Sequence, residues 1–229
     1  IYKDLDSQED FKVLLEYPKN LSEYSIIDNI GHKFYILTNF NANNYKVICF
    51  NAETNKIEDI VKEDSYVLDH VNIIANRIIC VYYKSGGFKL NIFNLNGEMQ
   101  YTKHFKTGYQ VSGFEGNNND TETVFFVNSF YFPSVVYKLN VQNNSTEQLS
   151  DTKIAYDHEE YETRFFNYYS KDSTAVPMYL TYKKGIDLQS GKNPVLLYGY
   201  GGFGMSMNPH YDAGYVLFLN GGGILATPQ

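Results

Sequence analysis

The chain has 229 residues, which is enough for one large domain or two small ones. Its formal net charge is −7 and no Lys/Arg stripe interrupts the acidic balance, so a groove that neutralises nucleic-acid phosphates is excluded. The uncharged apolar runs are only as long as a β-strand, which excludes a membrane-spanning helix. The 22 Tyr and 16 Phe residues favour β structure, because aromatic side chains pack well on half-buried pleated surfaces.

A four-strand unit repeats along residues 1–150, with a spacing of about 45 residues. In each unit an apolar strand is followed by a polar turn and by a second strand that ends on Asn. The first of these strands are residues 34–37, 78–81 and 124–127, and the second are residues 45–51, 89–94 and 135–140. A leading strand precedes each pair and a short fourth strand follows it. This pattern is typical of β-propeller blades, and it favours them over a β-sandwich, which fits the composition equally well.

The ends of the repeat region have their own interpretation. Residues 1–5 and 11–15 are predicted to be trailing strands of an earlier blade, so residues 1–150 hold three blades and part of a fourth.

Cys49 and Cys80 lie in apolar strands, which predicts two buried thiols and not a disulfide or a metal site. No Cys or His pair has the spacing of zinc ligands, and no metal or other cofactor is expected.

The pattern changes after residue 150. The acidic residues 151–160 are predicted to be a linker, and a hairpin follows, with strands near 164–169 and 178–182. Residues 194–198 form a continuous apolar run, which predicts a strand buried on both faces. A glycine-rich loop, a helix over 211–219 and a strand over 223–227 come next. Strand, loop, helix and strand in this order indicate the beginning of an α/β unit and not another blade.

Two motifs in this last region resemble the prolyl oligopeptidase family. Residues 198–203 read Tyr-Gly-Tyr-Gly-Gly-Phe, which is that family's signature. Residues 170–178 read Ser-Lys-Asp-Ser-Thr-Ala-Val-Pro-Met and are similar to the family's Ser-Lys-Asp-Gly-Thr-x-Val-Pro-Met, with Ser173 in place of the usual Gly. The resemblance implies a mostly β chain: the C-terminal blades of a seven-bladed β-propeller over 1–150, the linker, and the opening strands of an α/β-hydrolase domain over 161–229.

The resemblance also implies roles for two residues of the signature. Tyr200 matches the tyrosine whose hydroxyl forms part of the oxyanion hole, where a preorganised donor stabilises the developing negative charge. Phe203 matches a residue that lines the pocket for the substrate's proline ring. Without the resemblance, Tyr200 would be interpreted as a packed turn tyrosine and the neighbouring glycines as tight-turn residues.

The implied activity is that of a serine endopeptidase that cleaves short peptides after proline, with the propeller limiting access. The chain contains no Gly-x-Ser-x-Gly elbow, and Ser206 lies in a sequence that lacks the second glycine, so it is expected to be a loop residue. The family's catalytic Ser, Asp and His would all lie beyond residue 229. We therefore expect the chain to represent part of a longer enzyme and to be inactive alone.

Two alternatives stay open. An oligopeptidase B-like enzyme would cut after basic residues, but Gly202 and Phe203 favour proline because that relative tends to have Ser-Tyr there. The second is a non-catalytic propeller that serves as an interaction module. The expected partners are short proline-containing peptides, with no nucleic acid, membrane or obligate protein partner. The expected location is the cytoplasm, with periplasm and secretion left open.

Overall fold

The computed structural model of the chain describes residues 1–6, 8–15, 22–84, 86–150, 152–203 and 206–229. These residues form four four-stranded sheets, one α-helix and a 3-10 helix at His158–Glu160. The strands of the first three sheets are β1 Tyr24–Ile30, β2 Lys33–Thr38, β3 Lys46–Asn51, β4 Lys56–Val61, β5 Val67–Ile74, β6 Arg77–Lys84, β7 Gly87–Asn94, β8 Met99–His104, β9 Tyr109–Glu115, β10 Glu122–Ser129, β11 Val135–Asn140 and β12 Thr146–Gln148. The fourth sheet contains β13 Tyr161–Tyr169, β14 Ala175–Lys183, β15 Val195–Leu197 and β16 Ile224–Pro228, and helix α1 spans Ala213–Asn220.

The first three sheets are antiparallel meanders in which the strands pair in chain order. This confirms the three predicted propeller blades, which we call the first, second and third blade. The last strand of each blade is mostly exposed, whereas the middle strands β6 and β7 of the second blade are almost wholly buried. In the second blade these strands are buried on both faces because the blade packs between the other two, whereas in β10 of the third blade alternate residues such as Val124 and Phe126 are exposed. None of the four sheets closes on itself.

Two hydrophobic cores lie between successive blades. The core between the first and second blades includes both cysteines, which are free and buried, as predicted. Burial raises the pKa of the Cys80 thiol to about 12, so the group stays protonated. The core between the second and third blades is built around Phe125, whose ring stacks between Phe114 and Tyr137. These cores join neighbouring blades. The first strands of the second and third blades lie side by side, and the side-chain amide of Asn72 in β5 donates to the carbonyl oxygens of Phe114 in β9 and of Gly116.

Residues 1–15 differ from the prediction. The sequence predicts two trailing strands, but the described part of this segment contains one isolated antiparallel bridge between Tyr2 and Lys12. Leu14 packs against Ile36, Ile48 and Phe50, which lie on the face of the first blade that points away from the second blade. The segment therefore covers the first blade through side chains, and it does so without a regular strand ladder among the described residues.

The fourth sheet has the strand order β13-β14-β16-β15. Strands β13 and β14 form the predicted hairpin, and β15 runs parallel to β16 through α1, as expected of an α/β unit. The prediction that residues 194–198 are buried on both faces is wrong: β15 is an edge strand, and Val195 and Leu197 are 58% and 67% exposed. The run is apolar, but no described element covers it. No described helix has both the length and the apolar character needed to cross a bilayer.

Candidate functional site

The glycine-rich loop begins at the carboxyl end of β15, next to the carboxyl end of β16. In open α/β sheets ligands bind at this edge, outside the carboxyl ends of the parallel strands. The backbone N–H of Tyr198 donates to the carbonyl oxygen of Ala226, at 2.9 Å, and Gly199 faces the Pro228 ring. These two contacts therefore hold the start of the loop against the end of β16.

Tyr200 lies in the middle of this loop and is 47% exposed. Its ring folds back over Gly202: a Cβ added at Gly202 would lie only 3.4 Å from the Tyr200 ring carbon Cε1. Among the described residues, no protein group forms a hydrogen bond with the Tyr200 hydroxyl. As far as the described residues go, the loop thus presents a phenolic O–H that can donate to a bound molecule.

Phe203 ends the described part of the loop. Its backbone φ is +57°, in the left-handed region that glycine adopts at less cost than phenylalanine, and its side chain is 94% exposed. The two residues that the resemblance singles out therefore share one loop, but the structure does not bring their rings together. Nothing in the sequence indicated the positive φ at this position.

A residue that the sequence analysis did not single out holds the far end of the loop. Gln229 follows β16, and its side-chain Nε2 donates to the carbonyl oxygen of Met207 at 2.5 Å. Its Oε1 accepts a hydrogen bond of 2.9 Å from the Tyr83 hydroxyl of the second blade. The backbone N–H of Gln229 continues the ladder to the Pro177 oxygen of β14, at 2.9 Å. One side chain thus bonds to both the propeller and the segment after the loop.

The propeller packs on the fourth sheet through two glycines. Gly86, at the tip of the β6–β7 turn, lies against the Phe165 ring, and an added Cβ would sit 2.5 Å from Phe165 Cγ. Gly108 lies equally close to Thr163, with 2.5 Å from an added Cβ to the Thr163 Cβ. Thr163 and Phe165 are two residues apart on β13, so they project from the same face of the sheet. Neither glycine position has space for a larger side chain against this face of the sheet.

The third blade adds an aromatic contact on the same face. Residues 130–132, between β10 and β11, place Phe130 edge-on to Tyr179, with 5.5 Å between ring centroids, and stack Tyr131 on Tyr161, also at 5.5 Å. Tyr161 donates to the Asn220 side chain at the end of α1. Burial raises the pKa of the Tyr179 phenol, which therefore stays neutral. Packed rings of this kind hold the blade and the sheet in one orientation.

No nucleophile–base pair appears in the described part of the chain. Ser206 is exposed, and the nearby His210 ring has its Nδ1 atom 3.3 Å from the carbonyl oxygen of Asn208. None of the described histidines contacts a serine hydroxyl, and the described residues contain no group of three or more His, Cys, Asp or Glu side chains that could hold a metal ion. What the site offers chemically is a hydrogen-bond donor, Tyr200, and an exposed apolar ring, Phe203.

Comparisons with known proteins agree with this architecture. The family model for the N-terminal β-propeller domain of prolyl oligopeptidase matches residues 1–152. The chain is 27% identical to a prolyl endopeptidase of Elizabethkingia meningoseptica over 99% of this chain and 32% of that protein. It is 30% identical to prolyl oligopeptidase A of Galerina marginata (strain CBS 339.88) over 93% of this chain and 29% of that protein.

Solved structures give the same result. One from a structural and mechanistic analysis of two prolyl endopeptidases superposes with a TM-score of 0.86 at 26% identity, over 98% of this chain and 33% of that chain. Prolyl oligopeptidase B from Galerina marginata, bound to a 25mer macrocyclization substrate, gives 0.77 at 25% identity, over 91% of this chain and 30% of that chain. The chain spans about a third of the length of the relatives it matches.

Proposed function

The chain belongs to the prolyl oligopeptidase family, and from this membership we propose that it is part of a serine endopeptidase that hydrolyses short peptides on the carboxyl side of proline. The observation that carries the proposal is the loop after β15 at the carboxyl edge of the sheet, in which the Tyr200 hydroxyl has no hydrogen-bond partner among the described residues. Residues 1–150 are assigned to propeller blades, 151–160 to a linker and 161–229 to the start of the peptidase domain.

Tyr200 acts as a donor in the oxyanion hole. When a nucleophile attacks the scissile carbonyl, negative charge develops on the carbonyl oxygen, and a donor that is already oriented stabilises that charge without having to reorganise. The interaction is stronger in the transition state than in the bound substrate, so it raises kcat more than it lowers KM. The anchoring of Tyr198 to Ala226 and of Gly199 against Pro228 supports this role, because both restrain the loop next to Tyr200.

Phe203 contributes an apolar surface for the proline ring. Its side chain is 94% exposed in this chain, so it can contact a substrate ring, while the remaining walls of such a pocket belong to the longer protein. A pyrrolidine ring buries apolar area against a phenyl ring without leaving a polar group unpaired. A pocket for Lys or Arg would also need an acidic partner, and residues 198–203 contain none, so proline specificity is favoured over cleavage after basic residues.

The chemistry also needs a nucleophile and a base, which we assign to the part of the enzyme beyond this chain. The purified 229-residue chain should therefore not hydrolyse a glycyl-prolyl chromogenic substrate, because a donor and an apolar ring alone do not supply acyl transfer. Turnover by the isolated chain that a serine-directed inhibitor abolishes would contradict this.

The substrate class is tested in the full-length enzyme with matched substrates that carry Pro, Ala or Arg before the scissile bond. The proposal expects the highest kcat/KM for Pro, and Phe203→Ala should lower it more for Pro than for Ala. A preference for Arg would establish the oligopeptidase B-like alternative. Absence of turnover for all three, with a full-length chain that lacks a serine elbow, would favour a non-catalytic propeller module.

A further inference from the structure

Strand β16 and the residue that follows it contact the chain before and after the glycine-rich loop. At the beginning of the loop, the Tyr198 N–H bonds to the carbonyl oxygen of Ala226, and at the return the Gln229 side chain bonds to the carbonyl oxygen of Met207. Ala226 and Gln229 are only three residues apart. Two contacts close together at the end of β16 therefore restrain the chain before Tyr200, at Tyr198, and after it, at Met207.

The orientation of the Gln229 amide is fixed by its partners. A primary amide has an NH₂ group that only donates and an oxygen that only accepts. The Met207 carbonyl oxygen can only accept, so it requires the NH₂ group, and this leaves the amide oxygen for the Tyr83 hydroxyl. If the amide were flipped, two carbonyl oxygens would face each other. Both bonds consequently form together, with the Tyr83 hydroxyl as donor.

Tyr83 carries the position of the propeller to this amide. It lies near the end of β6, and its ring packs against Phe88 with the centroids 5.0 Å apart and the planes tilted by 46°. Farther along the chain, Gly86 lies against Phe165 of the fourth sheet. The Tyr83 hydroxyl is also 3.4 Å from the hydroxyl of the buried Tyr179. The Tyr83 hydroxyl reaches Gln229 only while the second blade is in contact with the sheet.

We propose that Gln229 is a positioning residue that couples the contact between the second blade and the fourth sheet to the placement of the Tyr200 hydroxyl. When the blade is in contact, Tyr83 orients the Gln229 amide, the amide holds Met207, and the loop is held at both ends. When the blade moves away, the amide loses one partner and the return of the loop is free to move. The inference rests on the proposed role of Tyr200 in catalysis.

Three variants of the full-length enzyme separate the two bonds. Tyr83→Phe removes only the hydroxyl that reaches Gln229, Gln229→Glu keeps the acceptor for Tyr83 but loses the donor to Met207, and Gln229→Leu removes both. Each should lower kcat by about 5-fold to 20-fold with KM within twofold, in line with the loss of one or two modest hydrogen bonds. Tyr101→Phe is the matched control, because Tyr101 lies on β8 and its hydroxyl has no hydrogen-bond partner among the described residues; its kcat should not change.

The decisive readout is a double-mutant cycle with Tyr200→Phe. A residue that acts through the Tyr200 hydroxyl has no effect on kcat once that hydroxyl is gone, so Gln229→Leu and Tyr83→Phe should each change kcat less than twofold in the Tyr200→Phe background. A residue that only supports the fold would keep its full effect there, and this result would overturn the proposal. If Gln229→Leu fails to fold, Tyr83→Phe, which alters one atom, gives the same test.

The cycle also separates the two proposals. If Tyr200→Phe is slow while all three Gln229 and Tyr83 variants keep the parent kcat, the coupling is overturned and the role of Tyr200 stands. If Tyr200→Phe keeps the parent kcat, the role of Tyr200 is overturned and the coupling falls with it.

Discussion

The propeller blades and the fourth sheet of this chain are both four-stranded, but their apolar side chains have different surroundings. Between blades, the aromatic and aliphatic residues of one sheet meet those of the next, and Phe125 is 1% exposed in such a core. The fourth sheet packs one face on the propeller and α1, while its other face and its edge strand β15 leave Phe166, Val195 and Leu197 from 40% to 67% exposed. Aromatic and aliphatic residues are therefore buried where two blades meet and partly accessible on the open face and edge of the fourth sheet.

The buried cores between the blades contribute mainly to stability, and the exposed loop of the fourth sheet carries the proposed function. The central strands of the second blade are covered on both sides. The fourth sheet carries at its open edge a loop in which the Tyr200 hydroxyl has no hydrogen-bond partner among the described residues. The two regions are connected where Gly86, Tyr83 and residues 130–132 contact the fourth sheet. Burial, close contact, turn geometry and charge should each have measurable effects that differ between the two regions.

The largest effect is expected in a blade core. Phe125→Ala should lower the free energy of unfolding of the chain by about 3–5 kcal/mol, because the substitution removes a ring that stacks between two others and leaves a cavity. Phe166→Ala in the fourth sheet is the matched control and should cost about 1 kcal/mol or less, since Phe166 is 40% exposed. Urea unfolding of both variants measures the difference. Equal losses would show that the two regions are packed alike.

The contact between propeller and sheet is tested by two glycines with the same backbone φ of +87°, Gly86 and Gly185. Gly185→Ala should cost about 1–2 kcal/mol, the penalty of a left-handed alanine, because nothing lies within 4 Å of the added Cβ. Gly86→Ala carries the same penalty and also drives a Cβ into the Phe165 ring, so about 1–3 kcal/mol more is expected. Thermal and urea unfolding give both values. Identical losses would mean that Gly86 does not pack against β13.

A smaller effect of opposite sign is expected in the β13–β14 turn. Ser173 has φ +65°, where a side chain costs energy, and the resemblance indicates Gly at this position. Ser173→Gly should raise the unfolding free energy by about 0.5–1 kcal/mol. Ser145→Gly, in a turn of the third blade where φ is not positive, should lower it slightly because glycine has more freedom in the unfolded chain. A loss of stability in Ser173→Gly would contradict the turn geometry.

The smallest effect concerns the charge in the same turn. The Ser170 hydroxyl and the Thr174 N–H donate to the Asp172 carboxylate and hold its pKa at about 2, below its ordinary value of about 3.9. A carboxyl with a lowered folded-state pKa stabilises the fold above its unfolded pKa and loses that contribution as the pH falls through the folded value. The difference in melting temperature between the chain and Asp172→Asn should be constant above about pH 4. It should shrink as the pH falls towards 2; a difference that persists there would contradict the shift.

The sequence predicted the blades well because their signals are local and repeated. A strand pair every 45 residues or so, each closing on Asn, recurs three times, and each occurrence became a four-stranded meander. The βα unit within residues 194–221 was also predicted from local features: an apolar run, four glycines and a residue pair that ends a helix. The predicted strand pair of residues 1–15 was less accurate, because its pairing depends on neighbours that the local pattern does not specify.

Long-range features could not be predicted in this way. The sequence of the apolar run Val195–Leu197 does not show whether other elements cover it. Its exposure follows from the strand order, which places β15 at the edge of the sheet. The bond between Tyr83 and Gln229 joins residues 146 positions apart, and neither belongs to a motif. The left-handed φ of Phe203 is likewise set by the path of the loop and not by its residue type.

We propose that the Tyr200 hydroxyl stabilises the oxyanion in the full-length enzyme, and steady-state kinetics of Tyr200→Phe test this role most directly. The substitution removes one oxygen from a side chain that is 47% exposed, so the fold should be retained. We expect kcat to fall by about 10²–10³-fold, the usual cost of losing one oxyanion donor, while KM changes little. A Tyr200→Phe enzyme with kcat within twofold of the parent would contradict the claim.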